Sequence, residues 1–236
     1  MNVEAVTPAF DALICDCDGV LIDSEAIASK VLVELLARRW PQLDVQPLIQ
    51  PLLGLRIEHV LHAMAGHAGT TLTEDEIAVI RLKVEDAAVL APAVPGIAEA
   101  LDRIQLPKAC ASNSHTEYVE SALLRTGLAR FFDNRLSCAD RVEHPKPAPD
   151  VYLRAAADLG VPPARCLVVE DSVTGVTAAV RAQMPVLGYI GGAHSSAAQI
   201  KGLRDAGALH VFDDMRQLPV MIAQLSAARV LRAAQD

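Results

Sequence analysis

An apolar, β-prone run that ends abruptly in two acids sets the main constraint on this chain: Leu13-Ile14-Cys15-Asp16-Cys17-Asp18-Gly19-Val20. A buried strand whose C-terminal end carries carboxylates one residue apart brings charge to the lip of a sheet. In open α/β sheets that lip is where ligands bind. Two carboxylates so close repel each other, and both stay ionised only beside a cation. The segment therefore requires a metal, a shared proton or a positively charged partner.

The rest of the chain supplies such a sheet. Strand-like apolar runs recur at residues 12–17, 108–112, 165–170 and 185–190, with a short one at 208–212. Helical patterns separate or follow them at residues 96–103, 116–126, 150–159, 173–182 and 217–234. This β-then-α alternation predicts an α/β fold, a Rossmann-like parallel sheet flanked by helices. With aromatics at only 3%, its core must be built from Ala, Leu, Val and Ile.

Residues 24–90 break the alternation, with no strand pattern. A helix is expected over 24–39 with Ser24 as N-cap, ended by Trp40-Pro41. Further helices are expected over 56–65 and 73–90, the last opened by a capping box from Thr73 to Glu76. So long a stretch is no simple crossover. It reads as a small all-helical domain, residues 24–93, inserted after the first strand, with the core formed by 1–23 and 94–236. Pro92, Pro95 and Gly96 make a stiff hinge at the return.

Charge and composition narrow the function. Net charge is −8 with no basic stripe, which argues against nucleic-acid binding. No uncharged apolar run reaches the ~18 residues of a membrane helix, and residues 1–11 carry no secretory signal pattern. Five cysteines, Cys15, Cys17, Cys110, Cys138 and Cys166, form no disulfide framework and read as buried free thiols. A reducing, cytoplasmic location is expected, and a monomer, although the Ala-rich residues 217–234 fit either core or interface.

Further polar groups fall where strands end. The second strand stops in Ser112-Asn113-Ser114, and the third in Glu170-Asp171-Ser172, with Ser172 placed to cap the next helix. Lys146 sits in the proline-stiffened loop His144-Pro145-Lys146-Pro147. Two acids, a hydroxyl, an ammonium and two more acids suit Mg²⁺ plus phosphate. Hard carboxylate oxygens hold the cation, and the hydroxyl and ammonium neutralise phosphoryl oxygens.

Asp16-Cys17-Asp18, Ser112, Lys146 and Glu170-Asp171, in that order, resemble the four motifs of the haloacid dehalogenase-like phosphohydrolase superfamily. The likeness is to its large group with a helical cap after the first strand, and it covers nearly the whole chain. It implies a phosphatase in which Asp16 is the nucleophile, forming an aspartyl phosphate. Asp18 resembles the acid that protonates the leaving alcohol and then the base that activates water. Asp16, Asp171, Glu170 and the backbone carbonyl of Asp18 would serve Mg²⁺. Ser112, the amide of Asn113 and Lys146 would hold the phosphoryl group, with Lys146 also pairing with Asp16.

In this group the cap selects the leaving group. Gly54-Leu55-Arg56-Ile57-Glu58 resembles a cap segment of sugar-phosphate phosphatases, where a basic residue at the place of Arg56 reaches toward substrate; a surface arginine at a helix start fits equally. Ser24 or Glu25 is expected to line the cleft. The substrate implied is a small sugar phosphate or sugar-acid phosphate. β-Phosphoglucomutase-like proteins share the scaffold, but Arg56 lies one place earlier than the mutase arginine, and Ile57 takes its position. A true haloacid dehalogenase lacks an acid at the place of Asp18. Phosphonate hydrolysis needs a Schiff-base lysine, and Lys30 and Lys83 sit in no supporting motif. A non-catalytic phospho-ligand binder has no need for both Asp16 and Asp18.

Other residues carry less. Cys15 and Cys17 read as strand thiols rather than zinc ligands, and His59 and His62 as surface or cap-packing residues. His115, beside Ser114, fits a substrate contact, a helix cap or a solvated side chain. Gly191-Gly192 with His194 reads as a flexible loop.

Overall fold

The computed structural model describes residues 10–52, 55–191 and 197–233. Expectations on residues 1–9, on Gly54 and on residues 192–194 lie outside them. In chain order the described strands are β1 (Ala12–Cys15), β2 (Lys108–Ser112), β3 (Leu136–Cys138), β4 (Cys166–Glu170), β5 (Val186–Tyr189) and β6 (His210–Phe212). Between β1 and β2 come α1 (Glu25–Arg39), α2 (Val45–Ile49), α3 (Ile57–His67), α4 (Glu74–Ala88) and α5 (Ile97–Arg103). Then follow α6 (Thr116–Thr126), α7 (Asp150–Leu159), α8 (Val173–Arg181), α9 (Ala197–Asp205) and α10 (Leu218–Ala233).

The strands form one parallel sheet in the order β3-β2-β1-β4-β5-β6. β1 is buried on both faces, as a strand between helical layers must be. Its side chains alternate between two cores. Leu13 and Cys15 pack toward α5, α6 and α10, whereas Ala12 and Ile14 pack toward α7, α8 and Leu203 of α9. Because β1 pairs with β2 on one side and β4 on the other, the C-terminal ends of these three strands lie side by side. Asp16, Ser112 and Glu170 stand at those ends.

β1 stops at Cys15, two residues earlier than expected. Asp16 N still donates to Val169 O at 3.0 Å, but the chain then curls, with Leu21 N and Ile22 N both donating to Cys17 O. Gly19 permits the curl, at φ 79°. From there the chain enters the helical insert beside its own return. Asp23 N donates to Pro92 O at 2.9 Å, and Val94 N donates to Leu21 O at 3.0 Å. The insert has its own apolar centre, including Leu36, Trp40, Leu61, Met64 and Ile77.

Three elements escaped the sequence reading. β3 is three residues long, too short for any periodic signal. α2 contains Pro47, which reads as a breaker but sits in the first turn, where no helical N–H bond is lost. α9 is a nine-residue helix in which only Leu203 is buried, too little for an apolar stripe to stand out. The Thr73–Glu76 capping box is present in full. Among the described residues no helix is long and apolar enough to cross a membrane, and all five cysteines are buried free thiols.

Candidate active site

Lys146 organises the site. Its Nζ donates to Asp16 Oδ1 at 2.5 Å, to Glu170 Oε1 at 2.7 Å and to Ala111 O at 2.9 Å. An ammonium has three donors, and all three are engaged. The same charge lies 4.8 Å from the Tyr152 ring centre. Asn113 fixes the lysine's backbone from both sides: its Nδ2 donates to Lys146 O at 3.1 Å, and Lys146 N donates to its Oδ1 at 2.8 Å. The side-chain amide of Asn113 is thus spent on the lysine loop. Ser112 Oγ, buried beside it, accepts from Ser114 N at 3.0 Å.

Glu170 is equally saturated. Oε1 accepts from Lys146 and from Tyr152 OH at 2.9 Å. Oε2 accepts from Asp171 N and Ser172 N, each at 2.9 Å, and from Ser172 Oγ at 3.0 Å. The carboxylate thus sits against the first turn of α8, where the helix dipole favours a negative charge. Ser172 Oγ also accepts from Gly175 N at 3.0 Å, the cap the sequence implied. Asp171, next along, packs over Gly19.

Asp16, Glu170 and Asp171 each offer an oxygen to a common point, with those atoms within 4.8 Å of one another. Burial pushes Asp16 well above its ordinary 3.8, with Glu170 and Asp18 adding to the rise and Lys146 opposing it. Asp171 is likewise raised by burial and by the charges of Glu25, Glu170 and Asp16. Burial acts against the charge on Lys146, but Asp16 and Glu170 outweigh it and hold the ammonium charged. Burial acts on Glu170 too, yet Lys146 and the donors from Ser172 and Tyr152 hold its pKa below the ordinary value. One ammonium thus faces three buried acids. Hard oxygen donors with an excess of negative charge fit a divalent cation.

Asp18 is held apart from that trio by hydroxyls. Ser24 Oγ donates to Oδ1 at 2.5 Å, Tyr118 OH to Oδ1 at 2.6 Å and Ser114 Oγ to Oδ2 at 2.7 Å. Ser24 does occupy the N-cap position of α1, but its hydroxyl makes no cap bond. That corrects the capping role read from sequence: the nearby carboxylate is the stronger acceptor. Glu25, exposed at the start of α1, is close enough to raise the pKa of Asp171, so it lies toward the acidic trio. Arg56 opens α3 and reaches the core through His115, Nη2 to Nε2 at 3.3 Å. His115 makes no cap bond to α6.

A family model for haloacid dehalogenase-like hydrolases matches residues 10–183. The chain belongs to that family. Hexitol phosphatase B of Escherichia coli (strain K12) is 33% identical over 179 residues, 73% of this chain and 80% of that protein. Fructose-1-phosphate phosphatase YqaB of the same organism is 31% identical over 180 residues, 74% of this chain and 94% of that protein. The crystal structure of a HAD family hydrolase from Deinococcus radiodurans R1, with bound phosphate and sodium, matches with a TM-score of 0.72. It is 31% identical, and the match covers 95% of this chain and 98% of that one.

This haloacid dehalogenase-like hydrolase is therefore an enzyme of the phosphatase kind, and its four motif segments meet at one sheet end. Arg56 and Glu25 lie on the insert side of that end. Ser114, Tyr118 and Tyr152 are contacts the sequence reading missed. Ser114 was visible only as the residue two beyond Ser112, and neither tyrosine carries a local signal. Lys30 and Lys83 are exposed, as are His59 and His62.

Proposed function

We propose that the chain is a cytoplasmic, Mg²⁺-dependent phosphatase acting on a small sugar phosphate or sugar-acid phosphate through an aspartyl-phosphate intermediate. The observation that carries this reading is the contact of Lys146 Nζ with Asp16 Oδ1 at 2.5 Å, beside Asp171 and two residues from the hydroxyl-bound Asp18. Residues 24–93 act as the cap and 1–23 with 94–236 as the catalytic core, working as a monomer.

Asp16, Asp171 and the backbone carbonyl of Asp18 would hold Mg²⁺, with Glu170 fixed by its five donors as the group that orients them. The cation supplies charge neutralisation for the phosphoryl oxygens. A carboxylate oxygen of Asp16 attacks phosphorus in line, and the bond to the ester oxygen breaks. Asp18, entering protonated, gives its proton to the leaving alcohol. Then carboxylate, it takes a proton from water as that water attacks phosphorus and releases Asp16. Ser112, the main chain at Asn113 and Lys146 bind the phosphoryl oxygens, Lys146 exchanging one present partner for substrate. Closure of the cap excludes bulk water.

The test is phosphate release across a panel of sugar phosphates with Mg²⁺, repeated with EDTA. Release abolished by EDTA supports the reading. Conversion of a hexose 1-phosphate to its 6-phosphate without free phosphate would instead make it a mutase. No turnover of any ester would leave a binding protein.

A further inference from the structure

We propose that Arg56, Glu58, Arg81, Glu85 and His115 form the leaving-group pocket and select a neutral leaving group over one bearing a second anion. This rests on the phosphatase reading and narrows its substrate class.

The five side chains meet where insert and core touch. Arg56 donates from Nη2 to Glu58 Oε1 at 3.3 Å, and Arg81 from Nη1 to Glu85 Oε2 at 2.6 Å. Arg81 Nε is 3.9 Å from Glu58 Oε1, so the two pairs join. His115, from the core, lies 3.4 Å from Glu85 Oε1, 3.7 Å from Glu58 Oε1 and 3.3 Å from Arg56 Nη2. Its neighbour Ser114 donates to Asp18, which places the cluster beside the catalytic acid. All five side chains are between 17% and 26% exposed, so water screens them weakly.

Two guanidinium groups face two carboxylates, and the fixed charge of the cluster is zero. Asp140, close enough to His115 to interact with it, adds a negative charge beside the cluster. A second phosphate or a carboxylate on the leaving group would need a cation of its own. Among these residues each guanidinium already has a glutamate, and breaking such a pair strands a half-buried charge.

Arg56 Nε and Glu58 Oε2 lie 2.8 Å apart and both atoms are buried, so this pair is closed on itself and offers no open cation to a charged leaving group.

The experiment compares phosphate release from glucitol 6-phosphate and 6-phosphogluconate, open chains that differ at C1 by an alcohol against a carboxylate. p-Nitrophenyl phosphate reports the core chemistry. The expected kcat/KM is lower for the acid by about tenfold or more. Glu58→Gln and Glu85→Gln, each freeing one guanidinium, should narrow that ratio by about threefold or more. The ratio is taken within each variant, so partial misfolding cancels, and the second variant serves if the first does not fold. Equal or better turnover of the acid by the native protein overturns the proposal, as does a ratio unmoved in both variants. Turnover of p-nitrophenyl phosphate alone overturns it while sparing the phosphatase reading. No release from any of the three with Mg²⁺ removes both.

Discussion

The hydroxyl of Ser24 donates to Asp18 Oδ1 at 2.5 Å, although Ser24 stands at the N-cap of α1 and the helix has no other side-chain cap there. The residue that opens the helical insert is thereby tied to the acid that serves the leaving group. Ser24→Ala should lower kcat by about tenfold, the worth of one hydrogen bond to a charged group. The same loss should lower the melting temperature by only a few degrees. Steady-state kinetics with a melting curve checks this, and lost stability with full kcat would restore the capping role.

Gly175 is held by contact, and Gly19 by contact and conformation together. A Cβ at Gly175 would lie 1.6 Å from Glu170 Oε1, and one at Gly19 would lie 1.8 Å from Asp171 Oδ2 with φ already at 79°. Either alanine must displace a buried carboxylate. Each is expected to destabilise by about 3 kcal/mol and to abolish activity. Urea denaturation reads the first effect. Native stability in Gly175→Ala would mean that Glu170 is not seated against α8.

Removing Lys146 leaves Asp16 and Glu170 buried without their cation. Lys146→Met should cost about 3–5 kcal/mol and all measurable turnover. Lys146→Arg should fail to rescue turnover, because a planar guanidinium cannot direct three donors at Asp16, Glu170 and Ala111 O together. An arginine variant with more than half the native kcat contradicts the geometry.

The raised carboxyls predict how pH and metal interact. Asp16 and Asp171 are held well above 3.8, chiefly by burial. Between that ordinary value and the raised one, the folded chain holds more protons than the unfolded chain. Metal-free stability from these groups therefore falls as pH rises through that window. A divalent cation takes the place of those protons, so the gain in Tm on adding Mg²⁺ should grow from about pH 5 to about pH 8. Glu170 runs the other way. Its lowered pKa stabilises above the ordinary 4.5 and is lost as pH falls through its folded value, below this range. Thermal melts with Mg²⁺ and with EDTA decide it, and a larger Mg²⁺ shift at the acidic end counts against the metal site.

Much of this architecture was legible because its signals are local. β1, β2 and β4 are apolar runs that end in polar groups. Thr73 with Glu76 and Ser172 with Gly175 are caps written within four residues. Ser24 carried the same local signal, and a tertiary acceptor overrode it. Contacts between distant segments left no trace. Tyr118 reaches Asp18 across 100 residues, and Arg56 reaches His115 across 59. The side chain of Asn113 meets the backbone of Lys146, 33 residues away. No spacing rule reports which side-chain atoms a fold has already used.

The central claim is that Asp16 accepts the phosphoryl group. Rapid acid quenching of the enzyme during turnover of glucitol 6-phosphate with Mg²⁺, followed by peptide mass spectrometry, tests it most directly. One phosphoryl group is expected on the peptide carrying Asp16, with no adduct and no turnover in Asp16→Asn. Phosphate on Ser112 instead, or native turnover in Asp16→Asn, would contradict the account.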